Sequence, residues 1–188
     1  LIELYQTTYN AKYLEYAIKI NSDMIKYFWD TENGGFFIYG KDSEKLIAQP
    51  KEIYDGATPS GNSAALNNII RLARITGDES LEKLANEQIK TFGEEISRTP
   101  HGYTHFLTGI MFTLESTFEI VITGDIEKAD TKNMLETVRK NFLPNAVIIF
   151  VPDGQDREAL TAMLPYIKDY KPVNDRATAY VCKNFSCQ

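Results

Sequence analysis

No stretch of this sequence stays apolar long enough to cross a bilayer, and its opening, Leu1-Ile2-Glu3-Leu4-Tyr5, lacks the basic region and apolar run of a signal peptide. Basic residues form no stripe. The 20 lysines and arginines lie scattered among 26 acids, for a formal net charge of -6, so the electrostatic footprint of a nucleic-acid binder is missing. Cysteine is scarce: Cys182 and Cys187 are the two present, no Cys-x-x-Cys occurs, and Cys-x4-Cys alone is too sparse for a four-ligand zinc site. Phosphate cradles with repeated glycines are absent as well, and Gly124-Asp125 and Gly154-Gln155-Asp156 read as helix-capping turns. These absences predict a soluble, cytoplasmic protein with no nucleic-acid or membrane partner, no cofactor and no metal. In that compartment the two cysteines are expected to be reduced, a disulfide being the alternative.

At 188 residues the chain can bury a real core. Leu14, Ala17, Ile18, Ile25 and Phe28 fall on one helical stripe within 11–29, ending at Asp30-Thr31-Glu32-Asn33-Gly34-Gly35. A short strand is expected at Gly35–Gly40. A second helix runs from about Ser63 to Thr76, and a third, capped by Asp78, carries Leu81, Leu84, Ala85, Phe92 and Ile96 inward. A fourth follows Pro100. A weak repeat, in which Leu1–Ala17 lies over Ile69–Ala85, supports stacked helical hairpins. The opening residues read as helix with no cap or initiator methionine before them. The expectation is a chain that begins inside a larger protein and self-associates through an apolar face exposed there.

Near Ser116 the pattern changes. Phe118–Thr123, Ala146–Val151 and Ala177–Cys182 read as strands separated by helices at about 126–141 and 156–166, which predicts a small, mostly parallel three-stranded unit. The predicted organisation is helical hairpins over 1–115 and a small βαβαβ unit over 116–188.

The segment Lys51–Ser63 crowds Lys51, Glu52, Tyr54, Asp55, Ser60 and Asn62 into a loop that Gly56, Pro59 and Gly61 bend sharply ahead of a helix. Capping does not require Glu52 or Asp55. Glycoside hydrolysis uses two carboxyl groups, one protonating the leaving oxygen and one activating water or attacking the sugar. Glu52 and Asp55 are the candidate catalytic pair, or one of them pairs with Asp30 or Glu32. Lys51, Tyr54, Ser60 and Asn62 are the candidate substrate-binding residues. The competing reading is a structural network in which Lys51 or an arginine neutralises the acids. Tyr54 and Trp29 would stack on a sugar ring or belong to the core. His101 and His105, four apart, have the spacing of one helical face, but no third metal ligand accompanies them.

Phe28-Trp29-Asp30, Gly34-Gly35-Phe36-Phe37, the loop Lys51-Glu52-x-Tyr54-Asp55-Gly56-Ala57-x-Pro59-Ser60-Gly61-Asn62-Ser63 and the ending Ala179-Tyr180-Val181-Cys182-x4-Cys187 together resemble the large thioredoxin-domain-containing proteins of bacteria and animals, which include the spermatogenesis-associated thioredoxin-like proteins. The resemblance spans nearly the whole chain and implies a C-terminal part of such a protein. It implies a mainly α fold with an α/β tail: the last hairpins of an α/α toroid similar to six-hairpin glycosidases and N-acylglucosamine 2-epimerases. The partners it implies are an N-terminal thioredoxin-like domain and the remaining toroid helices. A sugar ligand, bound or processed, is the function implied by the toroid; the alternative is a non-catalytic scaffold or regulatory domain docking the thioredoxin-like domain. Epimerases of the related fold use histidines as acid and base, and the Lys51–Ser63 loop has none.

Overall fold

The computed structural model describes residues 1–44, 48–153, 155–183, 186 and 187. The capping turn expected at Gly154 and the side chain of Cys187 lie outside the described residues. In chain order the helices and strands are α1 (Ile2–Thr8), α2 (Ala11–Phe28), α3 (Gly61–Thr76), α4 (Glu79–Arg98), α5 (Thr104–Leu114), β1 (Phe118–Gly124), α6 (Ala129–Lys140), β2 (Ala146–Pro152), α7 (Gln155–Met163), β3 (Thr178–Lys183) and β4 (Ser186–Cys187). They divide into two compact units. A helical unit comprises Ala17–Ala73 and Asp78–Leu114; an α/β unit comprises Leu1–Tyr16, Arg74–Gly77 and Glu115–Gln188. Among the described residues no helix is long and apolar enough to cross a membrane.

Helical periodicity explains the first unit. Ala85, Gln88, Phe92 and Ile96 of α4 are buried at successive three- and four-residue steps. Asp78 starts that helix by accepting the Ser80 N–H at 2.8 Å. On α3, Leu66, Ile69 and Ala73 are buried, and Phe106 of α5 meets Phe92 edge-on at 5.9 Å between ring centroids. The described residues between α2 and α3 have little regular structure. The strand expected at Gly35–Gly40 does not form. Phe36 makes one isolated bridge to Trp29, and its N–H and C=O also bond the Asn62 side chain, so no ladder propagates.

In the α/β unit the sheet order is β2-β1-β3-β4. β1 and β2 are parallel, with Phe118 opposite Ala146, while β1–β3 and β3–β4 are antiparallel. The sheet is therefore mixed and four-stranded, a correction to the mostly parallel three-stranded expectation. The reversal follows from where β3 begins. Asp130, in the first turn of α6, accepts the Ala177 N–H at 2.9 Å. Gly124, at the end of β1, lies against both Thr131 and Ala177: a Cβ there would meet Thr131 Oγ1 at 2.6 Å and the Ala177 Cα at 3.3 Å. β3 is thus pinned at the C-terminal end of β1 and must run back along it. Ile120, Ile122, Leu135 and Phe150 form the core of one sheet face. α1 packs here too: Ile2 and Tyr5 are buried and Tyr9 lies 5.3 Å from the Phe150 ring, while Leu1 and Leu4 are exposed. Cys182 is disulfide-bonded, whereas reduced thiols were the expectation from composition. The antiparallel register of β3 and β4 sets Cys182 opposite Cys187.

Candidate functional site

The end of α2 delivers Trp29 and Asp30 to a tight turn. Asp30 Oδ1 accepts the N–H groups of Glu32 at 2.9 Å and Asn33 at 3.2 Å, and Oδ2 receives Asn33 Nδ2. The turn closes on Gly35, whose φ is +78° and whose Cβ, if present, would overlap the Phe92 ring at 2.6 Å, so glycine is required there. Lys51 reaches in from the next segment and donates to Asp30 Oδ2 at 2.6 Å and to the Gly34 carbonyl. Its ammonium lies 5.0 Å from the Phe37 ring centroid, within cation–π range. Burial pushes the Asp30 carboxyl up. The Lys51 ammonium and the donated N–H groups outweigh it and hold the acid well below the usual carboxylate range. An open cavity of about 680 Å³ lies against this pair, bordered also by Glu32, Asn33, Phe37 and Lys41.

The Lys51–Ser63 loop uses its polar side chains differently. Asp55 accepts the Ser60 N–H at 2.9 Å on one oxygen, and on the other the N–H groups of His105 at 2.8 Å and Phe106 at 3.1 Å. Those last two belong to the first turn of α5, so Asp55 caps a helix 50 residues away. Partial burial raises its pKa, but the Ser60 N–H, the Ser63 hydroxyl and the α5 amides outweigh this, and the carboxyl is held ionised below its ordinary value. Such a group is a poor general acid. Ser60 Oγ accepts the Ser63 N–H at 3.1 Å and donates to Ser63 Oγ, capping α3.

Asn62 is the junction of the unit. Oδ1 accepts the Phe36 N–H at 2.7 Å, and Nδ2 donates to the carbonyls of Phe36 and Glu52, both at 2.9 Å. Gln88, wholly buried on α4, donates to the Asn62 carbonyl and to Oδ1. The Glu52 side chain is exposed. Tyr54, 61% exposed, packs edge-on to Tyr103 and over Gly102.

Of the candidate residues, Lys51 reaches the cavity, together with Asp30 and Glu32, the alternative acids. Glu52, Tyr54, Asp55, Ser60 and Asn62 do not border it. His101 lies in the 3-10 turn Pro100–Gly102 and His105 in α5, so the expected shared helical face does not exist. Among the described residues no group of three His, Cys, Asp or Glu has metal-binding geometry. Sequence reasoning missed Lys41, which carries no motif, and named Phe37 only within the Gly34–Phe37 stretch of the resemblance, not as a site residue. It also missed Gln88, although a polar residue interrupting the Ala85–Phe92 apolar stripe was a usable signal.

No family model matches the chain. Along its whole length it is similar to spermatogenesis-associated protein 20 of Homo sapiens and of Rattus norvegicus, 31% identical over 188 residues in each case and covering 24% of each relative. A 26% identity over 187 residues links it to an uncharacterised protein of Caenorhabditis elegans, of which it covers 25%. The chain thus spans about a quarter of the length of the curated relatives it matches.

Proposed function

We propose that this region binds a carbohydrate or related polyol in the cavity beside Asp30 and Lys51, as the ligand-holding part of a helical toroid. The observation that carries the reading is that cavity. Both signs of charge border it, an amide lies beside them, and Phe37 offers a ring against which the apolar face of a sugar can pack. Hydroxyl groups both donate and accept, which suits a rim holding carboxylates, ammonium groups and an amide. The expected roles of Asp55 and Glu52 as acid and base receive no support from geometry: Asp55 is ionised and engaged by backbone N–H groups, and Glu52 does not border the cavity. Binding without bond cleavage by this pair is the form of the proposal.

Similarity along the whole chain to spermatogenesis-associated protein 20 supports a larger assembly of which this region is one part. Within that proposal the helical unit, Ala17–Ala73 and Asp78–Leu114, belongs to the toroid, in place of the whole span 1–115, and a thioredoxin-like domain is the neighbouring partner. The test is heteronuclear NMR titration of the ¹⁵N-labelled 188-residue chain with glucose, N-acetylglucosamine, maltose and mannitol. Saturable shifts centred on the amides of Asn33, Phe37 and Lys51, with a roughly millimolar Kd, are expected. Lys51→Met should weaken them. Absence of saturable shifts with every probe, or shifts centred on Asp55 and His105 instead, overturns the reading.

A further inference from the structure

A second cavity, of about 450 Å³, lies within the α/β unit on the face of β1 that carries Glu119 and Val121. Strand alternation makes this split: Ile120 and Ile122 turn to the apolar core with Leu135 and Phe150, so Glu119 and Val121 turn the other way. The polar side chains at its border are already engaged. Glu119, 2% exposed, is ion-paired with Arg74 at 3.6 Å, and Tyr166 donates to the Ile75 carbonyl at 2.7 Å. The Tyr170 hydroxyl lies 3.5 Å from the disulfide-bonded Cys182 Sγ, and Thr76, like Glu119 and Tyr170, has further partners within the protein. An occupant therefore meets no uncompensated charge.

What the cavity offers is ring and apolar surface. Tyr166 and Tyr170 stand edge-on at 88°, 6.5 Å between centroids, with Val121 and Pro165 beside them. Tyr180, opposite Val121 across the β1–β3 ladder, lies 4.8 Å from Tyr170 and donates its own hydroxyl to the Lys171 carbonyl, which clamps the ring pair. Gly77 completes the border: a Cβ there would rest on the Tyr166 ring at 3.8 Å, and without one that ring surface stays open.

We propose that this cavity binds a neutral aromatic molecule of one or two fused rings. Two perpendicular rings form a corner in which a third can stack offset on one and meet the edge of the other, the two geometries that aromatic pairs prefer. A saturated ring gains buried area only. A charged ligand would lose hydration with no counter-charge to replace it, and a polyol would give up hydrogen bonds to water that engaged side chains do not return. The size is sufficient, since an apolar cavity of about 150 Å³ already holds one benzene ring. The site is separate from the polyol cavity, and either proposal can fail alone.

The probes are benzyl alcohol and indole, titrated into the ¹⁵N-labelled 188-residue chain, with cyclohexylmethanol as the saturated control and benzylammonium and benzoate as the charged ones. Both aromatic probes should shift the amides of Gly77, Val121 and Tyr166 saturably, with a roughly millimolar Kd. Cyclohexylmethanol should bind at least about threefold more weakly than benzyl alcohol although it is the more hydrophobic, and the charged probes at least about tenfold more weakly. Tyr170→Leu, which removes one side of the corner, should bring benzyl alcohol and cyclohexylmethanol to within about twofold of each other. If that variant fails to fold, the comparison of probes on the unaltered chain decides. No saturable shift at these amides, equal or tighter binding of cyclohexylmethanol or of either charged probe, or an undiminished aromatic preference in folded Tyr170→Leu overturns the proposal.

Discussion

The two units satisfy their buried backbone by different means. In the α/β unit, β1 is buried along six of its seven residues and its polar groups pair through ladders on both sides. In the helical unit, the described residues between α2 and α3 form no ladder, and side chains do that work: Asn62 for Phe36 and Glu52, Asp55 for Ser60, His105 and Phe106, Lys51 for Gly34. A ladder tolerates many side chains; a side-chain bridge tolerates one. Polar substitutions should therefore cost most in the helical unit and apolar truncations in the α/β unit.

The sharpest break of that contrast is Asn62→Leu. It keeps the volume and leaves the Phe36 N–H, two carbonyls and the Gln88 amide short of partners, and at about 1–3 kcal/mol per buried orphan it should destabilise by about 4 kcal/mol or more. Urea denaturation measures it; a loss below about 1 kcal/mol would place the junction elsewhere. Next comes Ile122→Ala in β1, where an apolar side chain with no exposure is truncated. A loss of about 3 kcal/mol is expected by the same measurement, and Ile122→Val, which removes a single methylene, should cost only about 1.

Acid exposes the difference again. Asp30 and Asp55 both have folded pKa values below their unfolded ones, so each contributes stability that is complete above about pH 4 and is lost as pH falls through the lowered folded values. Asp55→Asn should cost about 2 kcal/mol at pH 7 and flatten the decline in stability below pH 4. An unchanged slope in the pH dependence of the urea midpoint would count against the capping role. The smallest effect is expected for Glu52→Gln. Its exposed side chain should change stability by less than about 0.5 kcal/mol and leave polyol titrations unaltered. A lost titration response in that variant would restore Glu52 as a site residue.

Much of the helical framework was legible, because the 3.6-residue period and the Asp78 cap act locally. β1 and β2 were legible from their branched, apolar runs. The direction of β3 was not, since it depends on Asp130 catching Ala177, 47 residues later. Nor was the partner of α1: an amphipathic helix advertises a buried face without naming what covers it. The Lys51–Ser63 loop was recognisable as crowded and polar, but composition does not separate a capping carboxylate from a catalytic one. That distinction came from His105 and Phe106, which no local pattern connects to Asp55.

The bridge at Phe36 also has a kinetic reading. Its N–H is held by a side chain of α3 26 positions away, so its solvent protection depends on the Asn62–Phe36–Gln88 junction being assembled. In hydrogen–deuterium exchange this single amide should therefore exchange in step with the α3 and α4 amides flanking the junction, and more slowly than its loop neighbours. It is a built-in reporter for the moment when the 29–60 segment locks onto the helices.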